Sequence, residues 1–161
     1  MAQMGLVLVI AVVMASMGVA LYMYTQYETN FITANAGESV IVGPVEYMVT
    51  FDGTHMGNKE TQPENTFVKI IIEAKNISQD TTRMSGGQFY LVDEREQKHE
   101  AIYGEFSKDD LFSDNLEPGK PVRWTTQFDV PYDEQKQFNI IIRPTKEQST
   151  TDTALICLTN C

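Results

Sequence analysis

The sequence predicts an α+β chain: a long N-terminal hydrophobic α-helix followed by an all-β sandwich of about eight strands. Three observations predict it. No Asp, Glu, Lys or Arg precedes Glu28, and no Lys or Arg precedes Lys59. Residues 4–24 form an apolar run interrupted only by Gly5, Ser16 and Gly18. From about Ile32 onward, runs of β-branched and aromatic residues alternate with turn residues at short spacing. The division predicted is a helix over 1–31 and a β head over 32–161.

The helix comes first. About 20 residues at about 1.5 Å each cross a bilayer core, and the apolar run meets that length. It is longer than a signal-peptide core of about 7–15 residues. Its apolar residues lie all round the helix, so no face is kept for water. Gly5, Ala11, Ala15, Gly18 and Ala20 would permit close helix contacts. Met4, Met14, Met17 and Met23 are adaptable fillers. Tyr22, Tyr24 and Tyr27 lie where an interfacial belt would sit. A single-pass anchor and a packing helix both fit these features. The N-terminal flank lacks the usual basic residues, which points to a basic leader removed ahead of Met1.

Strands are predicted at 38–42, 45–51, 66–75, 88–92, 98–103, 122–128, 137–143 and 154–158. Gly43-Pro44, Asp52-Gly53, Gly86-Gly87, Pro118-Gly119 and Val130-Pro131 punctuate them. In the third strand Val68, Ile70 and Ile72 share the core face. In the sixth, Val122, Trp124, Thr126 and Phe128 share one face, with Arg123, Thr125 and Gln127 opposite. About 130 residues suffice for one sandwich core. Thr29 to Ala36 is too short and too poor in glycine and serine to be a flexible tether.

Composition excludes several classes. The 161 residues carry 12 basic and 22 acidic side chains, a formal charge of −10, which argues against nucleic acid. His55 and His99 have no metal-ligand spacing partners. Asp93, Glu94 and Glu96, and Asp109, Asp110 and Asp114, offer oxygen ligands for Ca²⁺ but match no EF-hand loop and read as solvated turns. No nucleophile motif or phosphate loop is present. The chain is therefore expected to be no enzyme, with no cofactor and no metal. Cys157 and Cys161 are the only cysteines. A terminal disulfide is favoured, with a metal or redox pair, an inter-subunit bridge and free thiols as alternatives. Asn76-Ile77-Ser78 is an N-glycosylation sequon in a polar turn, expected to be exposed.

The apolar segment from Met1 to Tyr27, joined directly to a β head, resembles the archaeal type IV pilin superfamily of archaellins and adhesion pilins. The head stretches Tyr47-Met48-Val49-Thr50-Phe51, Phe67 to Asn76, Leu116-Glu117-Pro118-Gly119 and Phe128-Asp129-Val130-Pro131 also resemble an immunoglobulin-like sandwich of anchored surface proteins. Bacterial type IV pilins carry a glutamate where this chain has Gly5, which counts against the bacterial type. The usual archaellin start, a Thr-Gly-Ile-Gly-Thr-like stretch, is absent.

The resemblance implies a structural subunit of an extracellular helical filament, serving adhesion or motility. Met4, Gly5, Leu6, Val9, Ile10, Val13, Met14, Met17, Leu21 and Tyr24 would pack its core. Burial of each large apolar side chain contributes about 1.5–3 kcal/mol, and a non-closing heterologous contact builds a fibre. The implied partners are identical subunits in a homopolymer, the membrane during assembly, and envelope or surface-layer protein. The expected location is a cell-surface filament, membrane-inserted before assembly. The alternative is a single-pass anchored surface binding protein, either a minor pilin or an archaellum accessory protein.

Overall fold

The apolar run ends where polar residues begin. In the computed structural model α1 spans Ala2–Gln26 and is followed by β1 (Asn30–Asn35). The structure describes residues 2–26, 28–104 and 106–161, and the side chains of residues 2–4, 6, 8 and 26 also lie outside the description. Ser16 and Thr25 donate their hydroxyls back to the carbonyls of Val13 and Tyr22, which settles two polar groups within the helix.

Beyond β1 the pattern has period two. The strands are β2 (Ser39–Val42), β3 (Val45–His55), β4 (Thr66–Asn76), β5 (Thr82–Ser85), β6 (Phe89–Val92), β7 (Lys98–Ile102), β8 (Ser113–Leu116), β9 (Pro121–Val130), β10 (Phe138–Ile142) and β11 (Asp152–Thr159). Gly43 has φ +57° in the β2–β3 turn, and a Cβ there would meet the Thr150 methyl at 2.7 Å, so only glycine suits the position. Between Phe51 and Gly53 the register with β4 slips by one residue, a bulge at Asp52. Asp52 pairs with Lys69 at 3.0 Å.

Nine strands form one continuous sheet, in the order β1-β11-β10-β6-β7-β9-β4-β3-β2, and β5 with β8 forms a second ribbon. The long sheet folds over itself at β7. Residues 98–100 of β7 pair with β6, and Ala101 and Ile102 pair with β9. One strand thus serves both layers of the sandwich. Edge strand β2 meets β11 and β1 across the layers, so the sandwich is nearly closed. Between the layers lie Tyr47, Val49, Val68, Ile70, Ile72, Phe89, Leu91, Phe128, Ile140, Ile142 and Ile156, all fully buried.

The architecture corrects the expected class. The chain is mostly β, with eleven strands rather than about eight and a helix content of 16%. The helix contributes no residue to the core cluster, so it is not half of an α+β fold. Among the described residues no helix is long and apolar enough to cross a membrane. Of the expected filament-core residues, Gly5, Val9, Ile10, Val13, Met14, Met17, Leu21 and Tyr24 are exposed and join no packed core. The side chains of Met4 and Leu6, together with Met1 and Tyr27, lie outside the described residues. The β unit begins at Asn30 rather than residue 32, because β1 is held to β11 by a six-residue parallel register.

Candidate functional site

A gap in strand pairing creates the principal cleft. β7 leaves the edge of β9 after Ile102, which sits opposite Gln127. The chain returns at Asp109 to Leu111, where the Thr125 N–H donates to Asp109 O at 2.7 Å and Leu111 N–H donates to Thr125 O at 2.8 Å. Between these contacts the described residues, an arch over this edge, form no pair with β9. The space beneath is about 450 Å³ and is lined by Ile102, Tyr103, Gly104, Ser107, Asp110, Leu111, Phe112 and Gln127.

Each lining group is held by the local sequence. Asp110 acts as the arch's keystone, since its carboxylate accepts the N–H of Phe106 and Ser107 at 2.7 and 2.9 Å. It also accepts the hydroxyls of Ser107 and Thr125 at 2.9 and 3.0 Å. Tyr103 and Phe112 meet edge to face at 5.5 Å, at the outer rim. Gly86 makes room for the Tyr103 ring, because a Cβ there would lie 2.9 Å from it. Burial, reinforced by the electrostatic influence of Tyr90 and Glu100, raises the Tyr103 phenol, and the Gly87 N–H acts against that rise.

Gln127 stands apart from the other lining groups. It is 1% exposed. Its Nε2 donates to Ile102 O at 3.0 Å, and this fixes the amide's orientation. Its Oε1 is buried and accepts no hydrogen bond. Such an orphan costs roughly 1–3 kcal/mol and calls for a partner. The alternation of β9 put Gln127 and Thr125 on the solvent face, yet the arch covers that face and both are buried.

The other predicted sites take structural roles. Asn76 is fully buried, not exposed. Its Nδ2 donates to Asp80 O and Leu116 O at 2.7 and 2.8 Å, while its Oδ1 accepts from the Ser78 N–H and hydroxyl. Its carbonyl accepts the Gly119 N–H at 2.8 Å. The sequon and the Leu116-Glu117-Pro118-Gly119 stretch are therefore one staple, and a glycan on Asn76 would displace it. Cys157 and Cys161 are bonded, with Cα atoms 5.7 Å apart. Asp114 accepts from Trp124 Nε1 at 2.9 Å, which separates it from Asp110 in role. Among the described residues no group of three His, Cys, Asp or Glu is placed to hold a metal ion.

His55 lies against Phe67 and Phe106, and its Nδ1 accepts the Gly57 N–H. Burial, aided by the Lys69 charge and opposed by Asp110, lowers its pKa. His99 Nε2 lies 3.7 Å from Asp93 Oδ2. Burial alone would raise the Asp93 carboxyl, but the N–H groups of Gln97 and Arg95 and the His99 side chain outweigh it, so its pKa is lowered. The sign follows: this carboxylate's contribution to stability is present above the ordinary aspartate value and is lost as pH falls through the lowered folded value. Thermal denaturation across acid pH is expected to show that loss, and Asp93→Asn is expected to flatten it. An unchanged acid slope in the variant would assign the loss to other carboxylates.

Comparison with known proteins addresses the fold. The yjhA protein from Bacillus subtilis superposes with a TM-score of 0.62 at 19% identity, covering 78% of this chain and 99% of that one. The secreted protein MPT63 from Mycobacterium tuberculosis superposes with a TM-score of 0.61 at 9% identity, covering 82% and 99%. The lipoprotein candidate ycdA, also from Bacillus subtilis, gives 0.57 at 14% identity, covering 78% of this chain and 39% of its own length. No curated protein sequence matches. The expected kinship with archaeal type IV pilins is overturned, and with it the filament subunit and the pilin-like anchored alternative. The three solved structures named share this β-sandwich fold, and none of the three is described as a pilus or archaellum component. Sequence similarity agrees with this correction, since the family called Domain of unknown function (DUF4352) matches residues 34–152, most of the chain and nearly all of the sandwich, and the chain belongs to that family.

Proposed function

We propose that the chain is an exported, non-catalytic binding domain that takes a small ligand or a side chain of a larger partner in the cleft beneath the 103–112 arch. One observation carries the reading: Gln127, a residue lining the cleft, holds a buried and unpartnered Oε1, and two exposed aromatic rings stand at the rim. A concave site with apolar walls and a few fixed polar atoms is the usual form of a ligand site. Binding rather than catalysis is supported by the histidines. His99 faces Asp93 and His55 faces phenylalanines, and the described partners of neither include a serine or cysteine nucleophile.

Export is supported by the Cys157–Cys161 bond, which persists in oxidising compartments. It is also supported by the secreted and lipoprotein descriptions attached to MPT63 and ycdA. A charge of −10 supports partners other than nucleic acid.

Two measurements test this reading. Alkylation of unreduced, acid-quenched cells should leave Cys157 and Cys161 unmodified, and free thiols in the native cell would defeat export. A chemically varied panel of small molecules, followed by amide chemical shifts of the full chain, should perturb Gln127, Ile102 and Phe112 together. Perturbations confined to other surfaces would defeat the cleft.

A further inference from the structure

The chemistry left open in the cleft selects its ligand. The amide and serine side-chain groups that line it are acceptors or are already committed. Gln127 Nε2 is taken by Ile102 O, and its Oε1 is free. The Ser107 hydroxyl hydrogen is placed on Asp110 Oδ1, and its oxygen receives the Asp109 N–H at 3.2 Å. The Tyr103 hydroxyl lies beside Gly87, in the turn behind the ring. Asp110 brings a negative charge to the wall. Among the described residues no Lys, Arg or His lines the space, and Lys108 in the same arch is not part of the lining.

The rim adds a second attraction. Tyr103 is 50% exposed and Phe112 is 73% exposed, so parts of both rings remain open to a ligand. Aromatic faces carry partial negative charge and draw cations within about 6 Å. An anion would meet the Asp110 carboxylate, with no Lys, Arg or His among the described lining residues to offset it. A neutral sugar would use one acceptor and one ring, and would gain nothing from Asp110. A cation with several N–H donors uses the free amide oxygen, the carboxylate's field and both rings at once.

Resting on the reading of this cleft as a ligand site, we propose that its ligand is an organic ammonium group on a short carbon stem, such as a lysine side chain of a peptide or a free alkyl amine. The stem lies along Ile102 and Leu111, the ammonium donates to Gln127 Oε1, and Tyr103 and Phe112 flank it.

The test uses the full chain and four probes: N-acetyl-lysine methylamide, its uncharged counterpart N-acetyl-norleucine methylamide, n-butylammonium, and methyl glucoside. The lysine probe is expected to bind with Kd of about 1 mM or tighter, shifting the Gln127 and Phe112 resonances. The norleucine probe is expected to bind at least about tenfold more weakly. Binding of n-butylammonium as tightly as the lysine probe assigns the site to free amines, and weaker binding assigns it to a peptide side chain. Phe112→Ala, a change at the exposed rim that leaves the core intact, is expected to weaken the lysine probe about fivefold. Gln127→Met separates polar recognition from packing. A site that uses the amide oxygen loses affinity for the lysine probe and keeps it for the norleucine probe, and a purely apolar slot keeps both.

Equal affinity for lysine and norleucine probes overturns the ammonium assignment. So does binding of methyl glucoside alone, although the cleft then still stands as a ligand site. If no probe perturbs the cleft, both readings fall, and Gln127 Oε1 is left to a buried water.

Discussion

Replacing Gln148 with leucine is expected to destabilise the sandwich by about 4 kcal/mol, lowering its thermal midpoint by roughly 10 °C or more. Gln148 is 5% exposed and joins four groups from separate segments. Its Oε1 accepts from Thr145 N–H and Gln88 Nε2, both at 3.0 Å. Its Nε2 donates to the Tyr47 hydroxyl at 3.0 Å and to Arg83 O at 3.3 Å. Leucine matches the side chain in bulk but leaves these partners buried and unpaired. Tyr47 is itself fully buried, and burial pushes its phenol up to about 12, so it stays neutral and needs its partner. Tyr47→Phe is the comparison. It removes one polar group from the network rather than stranding several, and about 1 kcal/mol is expected. Calorimetry of the two variants decides the matter. If Gln148→Leu costs no more than Tyr47→Phe, the glutamine is not the hub of the network.

The second large effect is expected at Asn76. Asn76→Ala removes the donor to Leu116 O and the acceptor of the Ser78 N–H, and leaves Asp80 O only the Ser78 hydroxyl, at a cost of about 3 kcal/mol. Asn76→Asp is the sharper test. A carboxylate still accepts from Ser78, but it turns two donors into acceptors facing carbonyl oxygens. Burial raises the pKa of the new acid, so the penalty is full at neutral pH and is partly relieved as pH falls through that raised value. Denaturation midpoints at neutral and mildly acidic pH read this directly, and a penalty independent of pH would mean that the site opens to water. Mass spectrometry of chain secreted from a glycosylating host should find Asn76 unmodified.

Much of the sheet is legible in the order of residues alone. β4 alternates as read, with Val68, Ile70 and Ile72 buried and Glu73 and Lys75 exposed. The strands that escape are β1, β5 and β8. NFITAN, TRMS and SDNL are short or polar, and backbone pairing holds them more than a hydrophobic face does. β9 misleads for another reason. Thr125 and Gln127 do alternate outward, but tertiary contact from the arch buries them, and period two cannot report that.

The candidate site is the least legible region. An unpartnered amide oxygen has no sequence signature. The one hint is weak: Tyr103, Phe106 and Phe112, three aromatics in a loop rich in charge. The buried glutamines carry no signal at all, since Gln88 and Gln148 sit in turn-like segments where glutamine is ordinarily solvated. Asn76 stands out in the sequence but with the opposite environment expected, because a sequon describes a chemical target and says nothing about which groups its amide already serves. The apolar N-terminal run misleads most, by drawing the whole chain toward a family that its β domain does not share.

The parallel pairing of β1 with β11 has a mechanical consequence. β1 follows three residues after α1, and its six residues lie in register with Asn30 beside Asp152 and Asn35 beside Cys157. The Asn30 amide also grips Asp152 Oδ1 at 2.9 Å. A pull on the helix along the strand axis would load this whole hydrogen-bonded row at once, in shear. An antiparallel strand pulled from the turn end would instead lose its bonds singly, like a zip. The Cys157–Cys161 loop lies at the far end of the same row. The junction between helix and sandwich is thus built as a lap joint, able to carry tension along β1 into the sheet.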